Sequence, residues 1–209
     1  MGRMFVAVQP PEDAIEHLDE FLDVRRGAAD FRWATTGQMH VTLAFLAEVP
    51  ERRLDDLTER LARAAARRTA FETRVAGGGA FPGPVDARVL WAGLELDDDG
   101  RTELARLATG ARAAAAKAGV EVGGGRFRPH VTVARLRRPT EVTRWVRLLE
   151  GYAGPSWRAD RVELVESFLG QGPRGRPRYE TVDTFPLSTP GGRYGPPRED
   201  RGGQGDPGG

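Results

Sequence analysis

At 209 residues the chain has room for one large domain or two small lobes, and its 39% hydrophobic content is enough for a sizeable globular core. A formal charge of +1 excludes a global basic field of the kind that drives non-specific nucleic-acid binding. The absence of cysteine excludes disulfides, thiolate nucleophiles and cysteine-ligated metals. The cations are of one kind: Lys117 is the only lysine among 31 basic residues, and arginine's planar fork suits phosphate wherever it faces a cleft.

The first element is the apolar strand "MFVAVQP", stopped by Pro10 and Pro11. Its apolar run is too short for a signal peptide, no segment has the length of a transmembrane helix, and the expected setting is the cytoplasm. The segment after Pro11 puts Ile15, Leu18, Phe21 and Leu22 at helical spacing, with Glu12 and Asp13 favouring the helix dipole in its first turn. "FRWAT" reads as a strand, "TGQ" as a turn and "MHVTLAFL" as a second strand. A second helix follows, with Leu54, Leu57 and Leu61 on one face. "FETRVAGGGAFPG" and "ARVLWAGLEL" are strands separated by Gly and Pro, and an alanine-rich helix runs to about residue 120. After "GGG" at 123–125 comes the strand "RFRPHVTVARL", then a short helix, "TEVTRWVRLLEGY". Two long strands, "WRADRVELVESFLG" and "RYETVDTFPL", close the fold around the loop "QGPRGRP". Residues 1–187 are thus expected to form one domain, and the Gly/Pro-rich segment 188–209 a disordered tail that cannot offset its ordering entropy.

Helices scattered among strands argue for an α+β fold with antiparallel sheets. The rough symmetry of the two halves predicts two lobes related by a pseudo-twofold axis, with matching segments facing each other. Those segments are "HVTLAFL" and "HVTVARL", which use two of the three histidines. In an extended strand residues i and i+2 share a face, so His40 projects with Thr42 and His130 with Thr132, while Val41, Leu43, Val131 and Val133 turn to the core. Two imidazoles can supply an acid and a base near neutral pH, and two hydroxyls can hold an oxyanion. That set suits in-line displacement at phosphorus and calls for no metal or other cofactor. A two-histidine metal protein would want a further imidazole or carboxylate near either motif, and neither has one. His17 lies on the polar side of the first helix and reads as surface.

The paired tripeptides resemble the His-x-Thr-x motifs of the 2H phosphoesterase superfamily. The flanks "RMFVAVQPPEDAIEHL", "FRWATTGQMHVTLAFLAEVP", "RVLWAGLE", "FRPHVTVARL" and "ESFLGQGPRGRPRYETVDTFPL" are similar, in order, to its RNA 2′,3′-cyclic phosphodiesterase (2′-5′ RNA ligase-like) branch over about residues 3–187. The resemblance implies a bilobal fold of two antiparallel sheets with flanking helices and the active site between the lobes. It implies metal-independent opening of RNA 2′,3′-cyclic phosphate ends to 2′-phosphates, on tRNA fragments or small nucleotides, with ATP-independent 2′-5′ ligation as the reverse. It assigns His40 as acid and His130 as base, and it matches Arg135 to an arginine found just after the family's second motif.

Strict alternation points Arg135 and its counterpart Phe45 toward the core, which for a guanidinium requires a twist, a strand end or a partner. Phe127 is a candidate to stack on the terminal base and equally suits core packing; Arg126 and Arg128 share the parity of His130 and can reach phosphates. Arg174, Arg176 and Arg178 form a basic hairpin tip, a solvated loop or an RNA clamp. The glycines at 77–79 lack the Lys-Ser/Thr ending of a P-loop. Two other readings share the cleft: action on another cyclic phosphate or a small 2′-5′ diester, and non-catalytic binding of RNA ends. A monomer is expected, without membrane association.

Overall fold

A computed structural model describes residues 2–189; positions 190–209, most of the expected tail, lie outside the described residues. The chain runs β1 (Gly2–Val8), α1 (Glu12–Arg26), β2 (Arg32–Trp33), β3 (Val41–Val49), α2 (Glu51–Ala65), β4 (Phe71–Phe81) and β5 (Ala87–Glu95). It continues with α3 (Asp98–Lys117), β6 (Val122–Gly123), β7 (Val131–Thr140), α4 (Thr143–Glu150), β8 (Trp157–Ala159), β9 (Arg161–Phe168) and β10 (Arg178–Pro186). This is the expected α+β class. Each of the first three helices starts where the sequence signals it: Pro11 and Pro50 precede α1 and α2, and the Asp97 carboxylate caps α3 by accepting from the Gly100 N–H at 2.7 Å.

The strands are ordered β10-β9-β1-β3-β7-β5-β4-β8, with β2 added to β7 and β6 to β3. The two expected sheets are halves of this single ten-stranded ladder, joined between β3 and β7 only at the pair Val41↔Val131. A junction of one residue pair lets the halves diverge on either side of it, which keeps the lobed character the sequence implied. Each half repeats the other. β1 and β5 flank β3 and β7, and the burial sequences of Val41–Glu48 and Val131–Arg138 are identical residue by residue.

"WRADRVELVESFLG" is two strands instead of one. It breaks at Asp160, so that β8 pairs with β4 while β9 lies between β10 and β1. Strands adjacent in sequence thus occupy distant places in the ladder, and the sheet path curls until Asp160 links them. The Leu187 N–H donates to the Asp160 carbonyl at 2.7 Å, tying β10 to the same corner.

The main core lies between the helices and one face of the sheet; it includes Leu18 and Leu22 of α1, Leu57 and Leu61 of α2, Leu104 and Leu107 of α3, and Val41, Leu43, Val131 and Val133. Strand β1 is buried on both faces, as its unbroken apolar run requires. Met4, Val6 and Val8 enter the main core, while Phe5 and Ala7 form a second small cluster with Val165, against which Tyr179 packs. Ser188, counted with the tail from sequence, is held by hydrogen bonds to the Ala66 and Arg68 carbonyls at 2.7 and 2.8 Å. No helix among the described residues is long and apolar enough to cross a membrane.

Candidate active site

The Val41↔Val131 pair sits at the centre of the constellation. Counting outward along an antiparallel ladder sets His40 beside Thr132 and Thr42 beside His130, with all four on the face away from the main core. Local structure delivers each histidine there. A 3-10 turn at Thr36–Gln38, closed by reciprocal Thr35–Gln38 capping, drops Met39 into the core and leaves His40 on the other side. On the second strand Pro129 precedes His130, whose Nδ1–H donates to the Arg128 carbonyl at 2.7 Å.

Past the threonines both strands gain an extra residue. Ala7 faces Thr42 while Val6 faces Ala44, so Leu43 is a bulge; Trp91 faces Thr132 while Leu90 faces Ala134, so Val133 is another. A bulge shifts side-chain parity by one. Leu43 and Ala44 are therefore both buried, as are Val133 and Ala134, and the next residue on each strand turns out of the core. This corrects the alternation argument: Arg135 and Phe45 are exposed on the cleft side, Phe45 at 50%. The Arg135 side chain is not buried, and its positive charge acts on both imidazoles.

The rings have unlike surroundings. His40 stacks on Phe5, with centroids 4.4 Å apart and planes 17° apart, and meets the edge of Tyr179 at 5.4 Å. Its Nδ1 is buried with no hydrogen-bond partner among the described residues. Burial, then the neighbouring His130, then Arg135 lower its pKa to about 4. His130 meets Phe81 edge-on at 5.0 Å and Trp91 at 6.0 Å. Its pKa is also lowered, by burial and by Arg135, with the hydrogen bond to the Arg128 carbonyl opposing the shift. Both imidazoles are thus disposed to be neutral near pH 7, and His130 presents Nε2 as its free lone pair. Among the described residues no group of three or more His, Cys, Asp or Glu could hold a metal ion.

The model of the 2′-5′ RNA ligase superfamily matches residues 8–169, which include both His-x-Thr segments. The chain belongs to that superfamily. The RNA 2′,3′-cyclic phosphodiesterase of Archaeoglobus fulgidus is 31% identical over 184 residues, covering 88% of this chain and 99% of its own. The protein of that name from Thermus thermophilus is 33% identical over 200 residues, covering 91% and 93%. A crystal structure from T. thermophilus superposes with a TM-score of 0.71 at 30% identity, covering 88% of this chain and 97% of that one. E. coli LigT complexed with 3′-AMP gives 0.72 at 24% identity, covering 90% and 98%, a likeness of fold.

Within this superfamily member the remaining candidates separate. Phe127 is half-buried and packs against the main core. Arg126 and Arg128 are exposed; the Arg128 guanidinium lies 6.0 Å from the Phe81 ring centroid, and its carbonyl orients His130. Arg178 pairs with Glu180 and lies over Phe168, while Arg176 lines a separate hollow with Asp19, Arg26 and Trp33. His17 is exposed, yet its Nδ1 shares a 3.0 Å hydrogen bond with the buried Tyr152 hydroxyl and so helps to dock α1. The glycine run is a seat for side chains: a Cβ on Gly78 would come within 2.3 Å of Leu149, and one on Gly79 within 2.3 Å of the Trp91 ring beside His130. Sequence reading missed Phe5, Tyr179, Phe81 and Trp91 as the aromatic walls of the two histidines. Only the two-sided burial implied by "MFVAV" hinted at Phe5.

Proposed function

We propose that the protein hydrolyses 2′,3′-cyclic phosphate ends of RNA to 2′-phosphates without a metal, using His40, Thr42, His130 and Thr132. The observation that carries this reading is the pair of His-x-Thr segments meeting at one residue pair, with a bulge turning Arg135 onto the same face. Relatives named for this reaction, about 30% identical over nearly their whole length, support the substrate class.

The cyclic phosphate lies between the rings with its non-bridging oxygens toward Thr42, Thr132 and Arg135. His130, its Nδ1–H engaged by the Arg128 carbonyl, takes a proton from water at Nε2. The water oxygen bonds to phosphorus in line with the 3′-oxygen, the P–O3′ bond breaks, and His40 gives the 3′-oxygen a proton. For that step His40 must be charged. The bound phosphate anion favours the charged ring, opposing the burial that chiefly lowers its pKa and the positive charge of Arg135 that adds to it. The hydroxyls and Arg135 stabilise the charge that builds on the phosphoryl oxygens. With an RNA 5′-hydroxyl entering in place of water, the 2′-oxygen kept on phosphorus and the P–O3′ bond broken as before, the same groups join ends through a 2′-5′ linkage.

The test is to incubate the protein with EDTA and RNA ending in a 2′,3′-cyclic phosphate and to map the product. The expected product is the 2′-phosphate at an undiminished rate, with His40→Ala and His130→Ala each slower by about 10²–10⁴. A 3′-phosphate product, or activity lost to chelator, defeats the proposal. Binding without turnover selects the non-catalytic reading, and turnover confined to small nucleotides selects the other cyclic-phosphate reading.

A further inference from the structure

Helices α2 and α3 lie antiparallel on the core side of the sheet, the face opposite His40 and Thr42. Small residues let them approach closely, a Cβ on Gly110 falling 3.5 Å from that of Ala64. Above this seam runs an open groove of about 1200 Å³. On its α2 wall Arg60 and Arg63 lie one turn apart on the helix, and Arg67 follows in the turn just past the helix end. On the α3 side Arg101, Arg106 and Lys117 line the other rim, a stretch of about 24 Å at 1.5 Å per residue.

No aspartate or glutamate lines the groove among the described residues. Three carboxylates bind its cations from the margins: Asp56 pairs with Arg60 at 2.8 Å, Glu59 with Arg63, and Glu103 with Arg68 and Arg106 at 3.7 and 3.4 Å. Among the described residues Arg67 and Lys117 have no carboxylate within 4.0 Å, and both are exposed. The whole chain carries only +1, so this stripe is a local excess offset elsewhere. Arg112 donates to the Gly123 carbonyl at 3.1 Å, tying α3 to the segment that leads through Arg126 and Arg128 to His130.

We infer that this groove is a second RNA-contact surface, holding the sugar–phosphate backbone of a substrate whose cyclic end occupies the cleft. The inference rests on the cyclic-phosphate reading above. Arginine forks in a row match a polymer that presents a phosphate at every residue, and a groove without acidic lining repels none of them. Such contacts are indifferent to sequence and act on affinity; the reacting atoms are on the other face of the sheet.

The experiment compares the wild type with the triple variant Arg63→Gln, Arg67→Gln, Lys117→Gln, its fold checked by circular dichroism and melting temperature. Binding of a fluorescent single-stranded RNA with a 3′-hydroxyl end is measured between about 50 and 200 mM salt, and the slope of log affinity against log salt should be shallower by about 2 in the variant. For a long cyclic-phosphate RNA the variant's KM should rise, while kcat and KM for a mononucleoside 2′,3′-cyclic phosphate stay as in the wild type. An unchanged slope, or two KM values that move together, overturns the inference. Displacement of the RNA by poly-glutamate at equal charge also overturns it, by assigning the groove to an acidic protein. If the wild type turns over no cyclic phosphate, the functional reading fails instead, and the salt slope still decides the groove. Should the triple variant misfold, Arg67→Gln with Lys117→Gln, both on exposed positions, carries the same test with a slope change of about 1.

Discussion

Protonating His40 should unsettle the fold as well as the chemistry. In the folded protein its pKa is lowered to about 4 from the ordinary 6.5, chiefly by burial against Phe5 and Tyr179, then by the charges of His130 and Arg135. A base with a depressed folded pKa binds fewer protons folded than unfolded. Its penalty is therefore absent above pH 6.5, grows as the pH falls, and levels off below about 4. Integrated from about pH 7 to 4.5, this one group costs about 2 kcal/mol of stability. The residue as a whole keeps partial exposure although its Nδ1 is sealed, so solvent relaxation can only reduce that figure. The assay is urea unfolding of the wild type and His40→Asn at the two pH values, with NMR titration of the three imidazoles to locate each pKa. The wild type should lose about 2 kcal/mol more than the variant over this range. An imidazole signal of His40 titrating at or above 6.5, or equal losses in the two proteins, refutes the burial argument.

Arg135→Gln removes a positive charge that lowers both histidines, so both NMR pKa values should move upward and KM for the cyclic phosphate should rise; unmoved values place the guanidinium away from the rings. Thr42→Val and Thr132→Val keep shape and remove a hydroxyl. Each should leave the melting temperature nearly unchanged and lower kcat by about 10²–10³, as losing an oxyanion donor does, and a fall in stability with kcat intact would make the threonines structural. Gly79→Ala puts a methyl within 2.3 Å of the Trp91 ring, and the overpacking should cost about 1–3 kcal/mol in urea unfolding and alter tryptophan fluorescence, whereas an unperturbed protein would show the strands able to part there.

The sequence by itself determined most of the elements, their amphipathic faces and the pairing of chemistry within each motif. His40 with Thr42, and His130 with Thr132, share a face because strand geometry has a period of two, a property of the local backbone that needs no neighbour. Hydrophobic spacing likewise placed Leu18, Leu22, Leu57 and Leu61 in the core, since amphipathic helices have little choice of side to bury. The parity of Arg135 and Phe45 was settled by the tertiary structure, because a bulge exists only relative to a partner strand, and nothing within "HVTVARL" announces that Val133 has no opposite number on β5. The same holds for the break at Asp160, where one apolar run serves two distant places in the sheet. It holds also for the aromatic walls: Phe5, Tyr179, Phe81 and Trp91 come from four strands, and the low pKa of His40 arises only when Phe5, Tyr179, His130 and Arg135 surround it. Local sequence carries short-range periodicity, whereas register, burial and the field at a charge are sums over residues far apart in the chain, and only the folded chain evaluates them.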